Sequence, residues 1–246
     1  MVLVQGASRG IGLAIVRELL ATGQIKKIYA TCRNPADAST LRKLASNDQR
    51  LSLLALDVTR EATIRNAASR VANEVDRLDS LINCNGVLHE RPHIQPERRL
   101  QEIESDSLAR SFQINALGPL LVLREFEQLL KKSDGARVMT LSARVGSISD
   151  NELGGWYGYR TSKAALNQMM HTLAVEWRRL SRPILCAVMH PGTVSTELSR
   201  PFTAGLAADK LFSPERAAQQ LLDVFGRLSM EESGGFFAWD GQPIPW

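Results

Sequence analysis

Val2-Leu3-Val4-Gln5-Gly6-Ala7-Ser8-Arg9-Gly10-Ile11-Gly12 opens the chain and decides how the rest is read. A short apolar run enters a loop with three glycines, and an amphipathic stretch follows at once. A strand that turns tightly into a helix needs backbone angles that glycine adopts without penalty. Such a turn leaves the first N–H groups of the helix aligned and unbonded, so an anion is drawn there. The spacing is G-x-x-x-G-x-G, and its physical demand matches that of the commoner G-x-G-x-x-G. The bland alternative is a plain tight turn.

Outward from this loop, short apolar runs alternate with longer amphipathic stretches. The pattern predicts strands over 2–5, 28–32, 51–58, 81–85, 137–142, 184–190 and 235–239. Helices are predicted over 11–21, 36–44, 61–77, 106–131, 159–180 and 214–228, the last opened by Ser213-Pro214. Such alternation is the mark of a parallel sheet covered on both faces. The expected fold is a doubly wound, Rossmann-type α/β sheet of about seven strands, in one domain spanning 1–246. The segments 145–156 and 191–212 are expected as loops at the carboxyl edge of the sheet, where such folds bind ligands.

Composition fits that picture. The chain has 246 residues, 44% of them hydrophobic and 23% charged, with a formal net charge of +4. No basic run concentrates that charge, so no nucleic-acid partner is expected. No apolar run is long enough to span a membrane, and Met1–Gln5 lacks the features of a secretion signal. Cys32, Cys84 and Cys186 are widely spaced and odd in number, which suggests reduced thiols and a cytoplasmic location.

Beyond the loop lies the question of which dinucleotide it serves. An acid about twenty residues past the glycines would read a ribose 2′-hydroxyl and favour NAD(H). Cys32 and then Arg33 stand there instead, and Arg9 lies inside the loop. Two guanidiniums and no carboxylate suit a 2′-phosphate, so NADP(H) is expected in preference to NAD(H). The competing reading makes Arg33 a solvated loop charge and Arg9 a helix-surface charge. Asp57 is a candidate acceptor for an adenine amino group, or else a cap for the helix near Arg60.

Tyr159-Arg160-Thr161-Ser162-Lys163 carries the chemistry. Residues four apart share a helix face, so the Lys163 ammonium is expected beside the Tyr159 phenol. A nearby cation favours phenolate and would make Tyr159 a proton donor near neutral pH. Tyr157 has Thr161 at the same offset and lacks that partner.

With these motifs the chain resembles the short-chain dehydrogenase/reductase family along nearly its whole length. The glycine loop, the segment Asn83–Gly86, Asn115 before Gly118, a serine segment near 142, Y-x-x-x-K and Pro191-Gly192 stand in the family's order. Leu141–Ile148, Gly154–Arg160 and the tail Asp240–Trp246 resemble the C-factor and sniffer-type carbonyl reductases. The resemblance implies Tyr159 as general acid/base, Lys163 on the nicotinamide ribose and Asn115 holding a relay water. It implies cofactor contacts from Gly6, Ser8, Arg9, Gly10, Ile11 and Gly12, and from Arg33, Asp57, Val58, Asn83 and Gly86. Pro191, Gly192, Val194 and Thr196 would lie beside the nicotinamide. A homodimer or homotetramer is expected as well.

Two positions depart from the family. Asn85 replaces a small residue at a place that approaches the cofactor. Ala143 stands where a serine usually orients the substrate carbonyl. Ser142 is taken as the substitute, with Ser147 as the other candidate. The apolar residues Leu153, Trp156, Phe202 and Leu206 are expected to wall a small carbonyl substrate. The rival reading is an NADP-binding signalling or scaffold protein with little turnover. His89-Glu90-Arg91-Pro92-His93 matches a zinc-protease pattern, but Pro92 opposes the helix that pattern requires, so no metal is expected.

Overall fold

A computed structural model describes residues 1–246, the side chain of Ala208 excepted. Seven parallel strands form the central sheet: β1 (Val2–Gln5), β2 (Ile28–Cys32), β3 (Leu51–Ala55), β4 (Ser80–Asn83), β5 (Arg137–Leu141), β6 (Leu185–His190) and β9 (Phe236–Ala238). Their order is β3-β2-β1-β4-β5-β6-β9, so the winding reverses beside β1. The carboxyl end of β1, with its glycine loop, therefore sits at the switch point, where open α/β sheets form a ligand crevice. The doubly wound sheet of about seven strands is as expected.

Both faces of the sheet are apolar because successive side chains alternate. Leu3, Tyr29, Leu81 and Val138 pack with α3 (Glu61–Glu74), α5 (Gly118–Lys131) and α6 (Tyr157–Trp177). Val4, Ile28, Ile82 and Met139 pack with α1 (Gly10–Ala21), α2 (Ser39–Asn47) and α7 (Pro214–Arg227). Ser213 caps α7 by accepting from Arg216 N–H at 3.1 Å.

Besides shifts of two or three residues at the ends of α2, α3 and α6, three expectations change. β3 stops at Ala55 and not at 58; Leu56 N–H still reaches Cys32 C=O, but β2 ends there and offers nothing further. The helix expected over 106–131 is two helices, α4 (Ser105–Phe112) and α5, joined by a π-helical turn over Gln113–Leu117. Pro119 has no N–H to continue the regular ladder, and Gly118 N–H bonds back to Gln113 C=O instead. Within 191–212, two short parallel strands pair, β7 (Thr193–Val194) with β8 (Leu211–Phe212), and tie the segment's ends together.

Trp177 is the largest fully buried side chain, at 1% exposure, and its indole N–H donates to Glu127 Oε1 at 2.9 Å. Trp177→Ala should destabilise the fold by about 3–5 kcal/mol, read from urea unfolding. A loss under about 1 kcal/mol would show that α6 does not anchor the core through this residue.

Candidate active site

The N-terminus of α1 is built for an anion. Gly6 and Gly10 take left-handed angles (φ +79° and +56°). A Cβ on Gly12 would fall 2.3 Å from Gly6 C=O, so only glycine lets the loop fold onto its own helix. No side chain caps α1 at Arg9 and no acid stands in its first turn, which leaves the N–H groups and the positive helix end for a ligand. Across from them, Thr196 Cγ2 lies 3.3 Å from where a Gly10 Cβ would be. These features fit a pyrophosphate lying on the loop.

The next strand end completes the cleft. Gly6 meets the backbone of Asn85 closely: a Cβ would lie 3.0 Å from its N. Asn85 does not fill the cleft as its size suggested. Its amide donates to Ile114 C=O at 2.8 Å, inside the π-helical turn. Gly86 faces the reactive groups; a Cβ there would be 3.5 Å from Lys163 Nζ and 3.7 Å from Asn115 Oδ1. Asn83 is fully buried and donates to Thr140 Oγ1 at 3.3 Å. Val58 is buried against Gly118. Asp57 Oδ1 accepts from Thr59 N–H and Oγ1 at 2.9 and 2.7 Å in a turn that precedes α3, and no side chain caps that helix.

The two arginines each have an acid. Arg9 pairs with Glu197 at 2.8 Å and Arg33 with Glu90 at 3.8 Å, and both guanidiniums remain largely exposed. Pairs this exposed contribute roughly 0–1 kcal/mol and leave both groups able to exchange partners. Glu90 also pairs with Arg110. The segment around it is a short antiparallel bridge, Glu90 to Ile94, and not a helix, so His89 and His93 do not share a helical face. Among the described residues no group of His, Cys, Asp or Glu could hold a metal ion.

Tyr159, Lys163 and Asn167 occupy one face of α6, each four residues on, and all three are buried. Lys163 Nζ donates to Leu141 C=O at 3.0 Å and lies 5.9 Å from the centre of the Tyr159 ring. The lysine is thus near the phenol but bonded to the end of β5. Burial pushes the phenol of Tyr159 above its ordinary value and the ammonium of Lys163 down to about 8. The expected acidification of Tyr159 is not what this arrangement produces: the shift is upward and its cause is removal from water. A phenol so held keeps its proton at neutral pH.

Asn115 is clamped. Its Oδ1 accepts from Val87 N–H at 2.7 Å, and its amide donates to Val87 C=O at 2.8 Å and to Ser162 Oγ at 3.0 Å. Its side chain is therefore engaged in holding Val87 and Ser162.

Ser142 is also placed differently from the expectation. The chain stays extended through Ala143, and Ser142 N–H still bonds Met189 C=O. Side chains 142 and 143 accordingly point to opposite sides. Ser142 Oγ donates to Asn167 Oδ1 at 2.7 Å in the core, which removes it from the orienting role. Ser147 is buried and accepts from Asp150 N–H at 3.2 Å.

An aromatic wall covers the phenol. The Trp156 ring meets Tyr159 edge-on with centroids 6.2 Å apart and Phe202 at 5.0 Å. His89 joins Phe202 at 5.9 Å. Leu153 is 93% exposed at its loop tip and lies outside this wall, and Leu206 is 41% exposed. At Pro191-Gly192 the backbone turns left-handed (φ +77° at Gly192) beneath the rings of Phe212 and Trp239. Val194 is buried in β7 next to that turn. Phe212, Trp239 and Glu97 were not anticipated. Asn167 had a legible signal, as the one amide on an apolar helix face four residues beyond Lys163.

The family model of short chain dehydrogenases matches residues 1–207, and the chain belongs to that family. The NADPH-bound carbonyl reductase from chicken fatty liver has a TM-score of 0.90 and 32% identity, covering 100% of this chain and 98% of its own. The carbonyl reductase Sniffer of D. melanogaster superposes with a TM-score of 0.89 at 27% identity, again over 100% and 98%. The C-signal protein of Myxococcus xanthus is 34% identical over 147 residues, which is 60% of this chain and 83% of that protein. The chain is thus an oxidoreductase-family protein similar to carbonyl reductases of the Sniffer type, on a fold that binds NADP(H) in its relatives. No described helix is long and apolar enough to cross a membrane.

Ser142→Ala should destabilise the protein by about 1–3 kcal/mol, because Asn167 Oδ1 would lose its donor in the core. Turnover should stay near the wild-type value. A loss of turnover near 10²-fold at unchanged stability would return the orienting role to this serine.

Proposed function

We propose that this protein is an NADP(H)-dependent carbonyl reductase that converts an apolar ketone or aldehyde to the alcohol. The observation that carries the reading is the buried Tyr159–Lys163 pair, with Lys163 Nζ beside Gly86, together with an uncapped helix end. The similarity to an NADPH-bound carbonyl reductase supports it.

The chain's own residues divide the work. Gly6, Ser8, Gly10, Ile11 and Gly12 would hold the pyrophosphate through the first turn of α1. Arg9 and Arg33 would exchange their carboxylates for the 2′-phosphate, which gives the preference for NADP(H) over NAD(H). Asp57 and Val58 would border the adenine, Asn83 and Gly86 the ribose side, and Pro191, Gly192, Val194 and Thr196 the nicotinamide. The bound cofactor supplies the hydride. Lys163 holds the ribose hydroxyls, and Tyr159 gives its proton to the substrate oxygen. Burial suits Tyr159 to this role, since a proton donor must still carry its proton at working pH. Asn115 would hold a relay water, while its side chain keeps Val87 in place. Trp156 and Phe202 press an apolar substrate toward the phenol, and the loops 145–156 and 191–212 close over it. The same proposal includes a cytoplasmic location, in keeping with three free thiols. It also includes a homodimer or homotetramer, supported by the partly exposed Phe112 and Val175.

NADPH oxidation at 340 nm over a panel of ketones and aldehydes tests the reading. Tyr159→Phe should lower turnover by roughly 10²–10⁴-fold and leave NADPH binding intact. NADH should bind more weakly than NADPH, and the reverse order would sink the argument from Arg9 and Arg33. The second reading, a signalling protein that binds NADP(H) with little turnover, draws on Ala143 and on the similarity to the C-signal protein. It prevails if wild type and Tyr159→Phe bind NADPH but are equally inert.

The pH profile is a separate check. Lys163 holds its proton below about 8 and loses it above. Reduction rates should fall as pH rises through that value, and a flat profile from pH 6 to 10 would remove Lys163 from the chemistry.

A further inference from the structure

Glu97 lies in the connection between β4 and α4, far from the catalytic motif in sequence, yet it is only 4% exposed. No ion pair among the described residues involves it. A carboxylate buried without a cation needs strong hydrogen bonding to persist. Glu97 finds it at the N-terminus of α6: Oε2 accepts from Gly158 N–H at 3.1 Å. Its main-chain carbonyl accepts from Trp156 N–H as well.

That helix has an unusual start. Trp156 occupies the cap position in a left-handed conformation (φ 52°, ψ 43°), and its indole has no oxygen with which to cap the turn. Left-handed angles are costly for a bulky residue and persist only when the surroundings impose them. The surroundings here are Glu97 on one side and the rings of Tyr159 and Phe202 on the other. Two glycines complete the mould. A Cβ on Gly158 would lie 3.0 Å from Glu97 Oε1, and one on Gly155 would lie 3.2 Å from Glu97 C=O. The backbone over 155–158 is therefore seated directly on this one residue, and Tyr159 is the next residue along.

We propose that Glu97 is a positioning residue for Tyr159, whose carboxylate and carbonyl set the first turn of α6 so that the phenol and the Trp156 ring enter the site in one arrangement. The carboxylate replaces the missing cap from a distant loop. It acts as a hydrogen-bond acceptor, so a neutral amide of the same shape would serve. The inference rests on the reductase reading for its kinetic test, and on the helix start alone for its structural test.

The test uses the full-length protein, NADPH and the carbonyl of the panel that wild type reduces fastest. Glu97→Ala should lower kcat by roughly tenfold or more while KM and the NADPH Kd stay within about twofold, the signature of a group felt only in the transition state. Glu97→Gln should restore kcat to near wild type. Gly158→Ala, which places a methyl against Oε1, should reproduce the loss. An unchanged kcat in Glu97→Ala, or Glu97→Gln as impaired as Glu97→Ala, overturns the proposal. If Glu97→Ala does not fold, Glu97→Gln and Gly158→Ala decide the matter by the same criteria. Should the wild type reduce no carbonyl, the reductase reading fails by itself. Amide hydrogen exchange at Gly158 and Tyr159 then reads the inference, faster in Glu97→Ala (or Gly158→Ala) and not in Glu97→Gln. Equal exchange across the set would refute it.

Discussion

Lys163 is buried, with its ammonium on the carbonyl of Leu141, and the site depends on that contact. It pins α6 to the carboxyl end of β5 at the place where the helix carries its phenol. Because the ammonium must stay near that carbonyl to offset its lost hydration, the helix cannot slide or rotate by a residue. Tyr159 above and Asn167 below are then set by the helical repeat. Asn167 extends the attachment by accepting from Ser142 and donating to Gly146 C=O at 3.3 Å. Gly146 has to be glycine, since a Cβ would fall 2.9 Å from that of Lys163.

A second set of constraints holds the opposite wall. Asn115 bonds both polar groups of Val87 and reaches Ser162, while Ser162 also donates to Tyr159 C=O at 2.9 Å. The π-helical turn is what brings Asn115 far enough round to do this. Asn85 secures that turn from the loop, so an apparent departure from the family pattern does structural work. Buried networks of this kind are costly when any member is unpaired; the Asn115 and Ser162 side chains are paired, whereas Asn85 Oδ1 is buried without a partner.

What the sequence by itself determined is what depends on near neighbours. The strands at 2–5 and 28–32 match to the residue, because continuous apolar runs between glycine or charged segments have one sensible reading. The glycine loop, the helix from Pro214 and the four-residue spacing of Tyr159 and Lys163 are local in the same sense. The tertiary structure alone decided where buried polar groups find partners. Ser142 meets Asn167, Asn115 meets Val87, and Glu97 meets Gly158, each across 25 or more residues. It also decided that Tyr159 is buried, which raises its phenol above the ordinary value. The reason is physical: backbone periodicity is written in side chains a few residues apart, whereas a buried donor or acceptor is satisfied by whichever element the packed core brings against it.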